Sequence, residues 1–173
     1  MRYLFLSLAL ASPLAAQRGL SPEDVAGMKQ VQNVRISPDG QWVAYTVSVP
    51  NLKESSKNSD IWLVSAKGGT PVRLTSSPKA DGQPEWSRDG QSIAFISARD
   101  DKPQLWKISP FGGEAEKLSD SKSGVVGFQW SPDGKRIAYG STAGGNMDLW
   151  TMRADGTDKQ RLTTTTECDT EPT

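Results

Sequence analysis

The chain has 173 residues, with 20 basic and 20 acidic side chains and no run of either sign. That balance offers no electrostatic footprint for nucleic acid or an anionic membrane surface. Histidine is absent, which excludes within these residues a Ser-His-Asp triad, a histidine general base and a histidine-held metal.

Residues 1–16 follow the order of a secretory signal peptide: Arg2 as the positive start, an apolar stretch from Tyr3 to Ala11, then Ser12-Pro13-Leu14-Ala15-Ala16 as a small-residue exit. Cleavage falls after Ala15 or Ala16. The apolar run is too short to span a bilayer, and its alternative reading is a buried N-terminal strand. Residues 17–32 form a leader in which Ser21-Pro22-Glu23-Asp24 predicts a short helix. Ser21 suits the N-cap, Pro22 the first helical position, and Asp24 the far half of a capping box. Leu20 and Val25 are spaced to close a hydrophobic staple across that start.

From there the sequence repeats itself. One string occurs as Ser37-Pro38-Asp39-Gly40, Ser87-Arg88-Asp89-Gly90 and Ser131-Pro132-Asp133-Gly134, each followed by Val43-Ala44-Tyr45, Ile93-Ala94-Phe95 or Ile137-Ala138-Tyr139. A second contains Trp62, Trp106 and Trp150, and a third ends at Leu74, Leu118 and Leu162. Both recur at steps of 44 residues. The first period is longer, because Ser37 to Ser87 is 50 residues while Ser87 to Ser131 is 44; six extra residues therefore lie between Tyr45 and Asp60. Trp42 follows its turn whereas Trp86 and Trp130 precede theirs, so Ile36 is the counterpart of Trp86.

Each string has a physical role. In Ser-Pro-Asp-Gly, proline presets φ for a type I turn, aspartate suits the next position, and glycine takes the left-handed conformation that closes it. The apolar triplet after the turn reads as a buried strand, and Ile-Trp-x-Val alternates as a third strand with one face buried. Gly-Gly or Asp-Gly then turns the chain into a short fourth strand. Four short antiparallel strands in about 44 residues make one propeller blade. The expected fold is all-β: an incomplete β-propeller of three four-stranded blades plus the start of a fourth, with a short N-terminal helix. Blade 1 spans 33–75 with an insertion at 48–59, blade 2 spans 81–119, blade 3 spans 125–163, and 164–173 begins blade 4. Pro172-Thr173 matches Pro84-Glu85, so the next residue would take the place of Trp86 and the chain reads as truncated.

Repetition assigns Trp62, Trp106 and Trp150 to packing between blades before any ligand platform. Turn chemistry accounts for Asp39, Asp89 and Asp133 without calcium, since no dense acidic loop is present. Gly140-Ser141 lacks the strand-to-helix setting of a nucleophile elbow. Cys168 reads as a small residue near a strand start, or as half of a bridge to something outside these residues. No catalytic residue, cofactor or metal ligand is assigned.

The leader Leu20-Ser21-Pro22-Glu23-Asp24-Val25, joined to Val34-Arg35-Ile36-Ser37-Pro38-Asp39-Gly40-Gln41-Trp42-Val43-Ala44-Tyr45 and then Asn58-Ser59-Asp60-Ile61-Trp62, resembles the start of secreted serine peptidases of the prolyl oligopeptidase family, nearest to acylaminoacyl-peptidase and dipeptidyl-aminopeptidase-like members. The resemblance implies a propeller that caps an α/β-hydrolase domain, admits short peptides and excludes folded proteins. A serine in Gly-x-Ser-x-Gly, with Asp and His after it, would do the chemistry outside these residues. Some members hold the substrate amino terminus with propeller glutamates, but Glu54, Glu85, Glu114, Glu116, Glu167 and Glu171 do not match that pattern. The expected location is the periplasm or the medium, with short peptides as partners and neither nucleic acid nor membrane. The alternative is a non-enzymatic periplasmic propeller resembling TolB, which binds protein partners but carries a separate α/β domain ahead of its blades. A stand-alone propeller that binds sugar or peptide is a third reading.

Overall fold

The computed structural model describes residues 19–143 and 145–164. The proposed signal peptide, Cys168, Glu167, Glu171 and all but the first residue of the expected start of a fourth blade at 164–173 lie outside them.

Helix α1 (Pro22–Ala26) has the anticipated capping box. The Asp24 amide donates to Ser21 Oγ at 3.1 Å, and the Ser21 amide donates to Asp24 Oδ2 at 2.9 Å. The hydrophobic staple is not formed as a buried contact: Leu20 and Val25 remain 70% and 55% exposed, because α1 buries nothing.

Among the described residues twelve strands follow, in three antiparallel four-stranded sheets whose spatial order is their chain order. The first sheet is β1 (Gln30–Ile36), β2 (Trp42–Asn51), β3 (Ser56–Ser65) and β4 (Val72–Arg73). The second is β5 (Asp81–Trp86), β6 (Ile93–Ser97), β7 (Gln104–Ile108) and β8 (Glu116–Lys117). The third is β9 (Val125–Trp130), β10 (Arg136–Ser141), β11 (Asp148–Arg153) and β12 (Gln160–Arg161). Ile36 pairs with Val43, Trp86 with Ile93 and Trp130 with Ile137, which makes Ile36 and Trp86 structural equivalents.

The six extra residues of the first repeat do not bulge out as a loop. They lengthen β2 and β3 to ten residues each, paired without interruption from Trp42↔Ser65 to Asn51↔Ser56. The base of this long hairpin is tied to the second sheet's entry, where Ser59 Oγ donates to the Asp81 carbonyl and Asn58 Nδ2 to the Ser77 carbonyl, both at 2.9 Å.

The core is two seams. Ala44, Ile61 and Leu63 of the first sheet meet Trp86, Ile93, Phe95, Trp106 and Ile108 of the second. The second sheet's other face, through Ala94, Leu105 and Leu118, meets Val125, Ile137, Tyr139 and Met152 of the third. The expectation of one buried face on the Ile-Trp-x-Val strand is therefore corrected in the second sheet. Leu105 and Trp106 are both buried there, because a blade lies on either side. The equivalents on the outer faces are open: Leu149 and Leu162 of the third sheet are 44% and 54% exposed, against 0% and 3% for Leu105 and Leu118. Ile36 of β1 is likewise exposed.

Candidate functional site at the blade seams

The turns stack in a row along one end of the sheets. In each, the serine hydroxyl donates to the aspartate, at 2.5 Å for Ser37–Asp39 and 2.6 Å for Ser87–Asp89 and Ser131–Asp133. The same hydroxyl accepts the amide of Trp42, Ser92 or Arg136, five residues on. These hydroxyl donors, with the amides of Gln41, Gln91 and Lys135, hold all three carboxyls below their ordinary range. The turns also nest between blades. A Cβ on Gly90 would lie 3.7 Å from Pro38 Cδ, and one on Gly134 only 2.6 Å from Arg88 Cβ.

At the opposite end each sheet is closed by a clasp. Thr75, Ser119 and Thr163 accept the amides of Ile61, Leu105 and Leu149 at 3.0, 2.8 and 2.9 Å. Arg73 reaches Asp60 at 2.7 Å, and Arg161 comes within 2.7 Å of Asp148, whose side chain is wholly buried. Burial pushes the Asp60 carboxyl up, and Arg73 works against that shift. The second sheet changes both partners together: Gln104 replaces the aspartate and bonds Ser119 and Ser121, while Lys117 replaces the arginine and turns out to Asp100 and Asp120.

The two seams then diverge. Asp81, with no exposure, accepts two hydrogen bonds from Arg99 Nη2 at 3.1 and 3.0 Å. The Arg99 guanidinium lies over the Trp106 and Phe95 rings, 4.7 and 5.3 Å from their centroids. One repeat later the same positions hold Val125, Ala143, Trp150 and Tyr139. The ion pair is gone, and Tyr139 and Trp150 stack with centroids 6.4 Å apart and planes 22° off parallel. The groove of the first seam, lined by Pro78, Arg99 and Glu114, does not reach its aromatic pair. That of the second, about 350 Å³, is floored by Tyr139 and Trp150. Sequence reasoning passed over this difference, although the change from Arg99 to Ala143 between otherwise matching strings could have signalled it.

Other candidates fall into structural roles. Trp106 is buried in the first seam, Trp150 is half-buried in the second, and Trp62 stands half-buried on the open face of the first sheet. Among the described residues no group of three acidic or cysteine side chains could hold a metal. Ser141 is buried in β10, donates to the Gly124 carbonyl and touches Ser121 Oγ. Glu85 pairs with Arg35, Glu116 with Lys107, and Glu54 accepts from Asn51. No described helix is long and apolar enough to cross a membrane.

Known proteins resemble this chain in sequence or in fold. An uncharacterized peptidase, YuxL, of Bacillus subtilis is 40% identical over 81 residues, 47% of this chain and 12% of that protein. Dipeptidyl-peptidase 5 of Porphyromonas gingivalis is 32% identical over 78 residues, 45% of this chain and 11% of the relative. The match thus spans about an eighth or less of those relatives' lengths. The acylaminoacyl peptidase structure from Pyrococcus horikoshii superposes with a TM-score of 0.61 at 17% identity, covering 80% of this chain and 25% of that one. TolB from Acinetobacter baumannii gives 0.56 at 17%, covering 78% and 44%. Residues 22–173 match the family described as TolB beta propeller domain, and with three such blades in place the chain belongs to that family.

Proposed function

We propose that the chain is the substrate-gating propeller of a secreted serine peptidase of the prolyl oligopeptidase family that hydrolyses short peptides, and that it is itself non-catalytic. The observation that carries this reading is the 40% identity to a peptidase across nearly half of the chain. The open faces of the first and third sheets suit it, since further blades would cover Ile36 on one side and Leu149 and Leu162 on the other. Residues 1–16 would direct export to the periplasm or the medium. A second reading, a non-enzymatic propeller that binds protein partners, is favoured by the TolB description of the family itself.

One experiment separates them: determine the reading frame beyond Thr173, express the intact protein, and assay chromogenic dipeptidyl and acylaminoacyl substrates beside the 173-residue chain. The peptidase reading expects further repeats, then Gly-x-Ser-x-Gly with later Asp and His, with activity in the intact protein alone. Repeats running to a stop codon would transfer the case to the partner-binding propeller. Specific cleavage by the 173-residue chain would overturn its non-catalytic role.

A further inference from the structure

The groove of the second seam occupies the position where the preceding blade keeps the Arg99 guanidinium. In the first seam a planar cation lies on the aromatic pair and a fully buried carboxylate, Asp81, neutralises it. In the second seam Ala143 leaves the space over Tyr139 and Trp150 open, and Val125 supplies no carboxylate. The floor is still suited to a flat, π-faced group.

The charge around that floor has the opposite sign. Lys122 and Lys159 line the groove and have no ion-pair partner among the described residues. Lys102 Nζ donates to the Lys122 carbonyl and brings a third cation to the same rim. Arg161 also lines the groove, but Asp148 holds and neutralises it at 2.7 Å. The one carboxylate on the wall, Asp120, is engaged by Lys117 at 3.3 Å. A second cation placed where Arg99 sits one blade earlier would meet repulsion without a counter-charge, whereas an anion would not. The buried indole N–H groups of Trp106 and Trp150 both lack hydrogen-bond partners, so they do not distinguish the seams.

We propose that the second seam is a binding subsite for an aromatic group bearing a carboxylate, with the ring against Tyr139 and Trp150 and the negative charge toward Lys122 and Lys159. The volume of about 350 Å³ admits one ring and its carboxylate, near the lower end of small-ligand pockets. The chemistry is shared by the carboxy-terminal aromatic residue of a peptide and by a free aromatic acid. The subsite does not depend on the peptidase reading, because both of its walls belong to the two blades described.

The test is titration of the 173-residue chain, followed by tryptophan fluorescence and by NMR of added probes. The probes are Gly-Gly-Phe, its carboxy-terminal amide, 3-phenylpropionate and phenylguanidine. The carboxylates are expected to bind about tenfold more tightly than the amide, since two charges contribute at a partly wet rim, and to weaken as salt is added. Phenylguanidine should bind least. If 3-phenylpropionate matches Gly-Gly-Phe, the free acid suffices; if only the tripeptide binds, the site reads peptide ends. The double variant Lys122→Glu/Lys159→Glu lies on the surface and should lose the preference for carboxylate while the circular dichroism spectrum is kept. Val125→Asp/Ala143→Arg copies the first seam and should abolish binding; if the aspartate prevents folding, Ala143→Arg alone puts the guanidinium over the rings and should do the same. Equal affinity for phenylguanidine and 3-phenylpropionate would overturn the charge assignment. Unchanged binding in a folded Ala143→Arg variant, or no binding of any probe at millimolar concentration, would overturn the site.

Discussion

The two seams are built from the same strings, yet the first is lined by a charge lock within the second sheet and the second by a stacked ring pair within the third. In the first, Arg99 fastens to buried Asp81 and covers Trp106 and Phe95. In the second, Val125 and Ala143 take those positions and Tyr139 stacks on Trp150. Repeat proteins bury a face only against a neighbour, so the shared apolar positions must hold in both seams. The rim residues lie at the edge of that contact and are free to differ. A polar lock is consequently a local choice, and its absence opens a groove.

Removing half of the lock should have the largest effect. Arg99→Ala strands Asp81 without a partner at zero exposure and is expected to cost about 3–5 kcal/mol in urea unfolding. The double variant Asp81→Val/Arg99→Ala, which copies the second seam, should recover most of that loss. If the double is as unstable as the single, the two seams are not interchangeable at the rim. Next in size, Leu118→Ala should cost about 2–4 kcal/mol and Leu162→Ala no more than about 0.5, because only the first is enclosed by a following blade. Equal losses would mean that the outer face is covered in solution.

A smaller difference is expected along the row of turns. Gly40→Ala and Gly134→Ala both force a side chain to a φ near +70°, at about 1–2 kcal/mol. Only Gly134→Ala also meets Arg88 Cβ at 2.6 Å, so it should be the worse of the two, and Arg88→Gly should erase the difference. The smallest effect is that of pH. Asp39, Asp89 and Asp133 have folded values held below the usual 3.8, so their contribution is present above that pH and fades as pH falls through the depressed values. Asp60, raised by burial, acts in reverse: its stabilisation is greatest in acid and declines as pH climbs from 3.8 through its raised value. Replacing Ser37, Ser87 and Ser131 by alanine should flatten the acid limb of the urea midpoint between pH 5 and pH 2. An unchanged limb would deny the turns any part in it.

What the sequence disclosed is what repeats. The turns, the strand around Trp106, the equivalence of Ile36 with Trp86 and the cap at Ser21 all follow from local chemistry or from period. Three things were hidden because they depend on what packs against an element or on a single repeat. The burial of both Leu105 and Trp106 comes from a blade on each side, and the exposure of Leu20 and Val25 from a helix with nothing packed on it. The third is the Arg99–Asp81 pair, which occurs in one repeat and so disappears when repeats are compared for their common features. The polar stretch from Asn51 to Ser59 gave no apolar pattern to follow. Its backbone nonetheless continues the β2–β3 ladder, since pairing between adjacent strands needs no buried side chain.

The last strand of each sheet, β4, β8 or β12, is an edge only two residues long. A foreign strand that approached the rim would find a ladder two rungs deep, too short to fix a register or to repay the ordering of its own backbone. The broad flanks of the end sheets offer apolar area instead, at Ile36, Leu149 and Leu162. Between that short edge and the flank, clumping of such a chain would therefore favour stacking flank on flank, as coins adhere, over stitching a fibril along the two-residue strands.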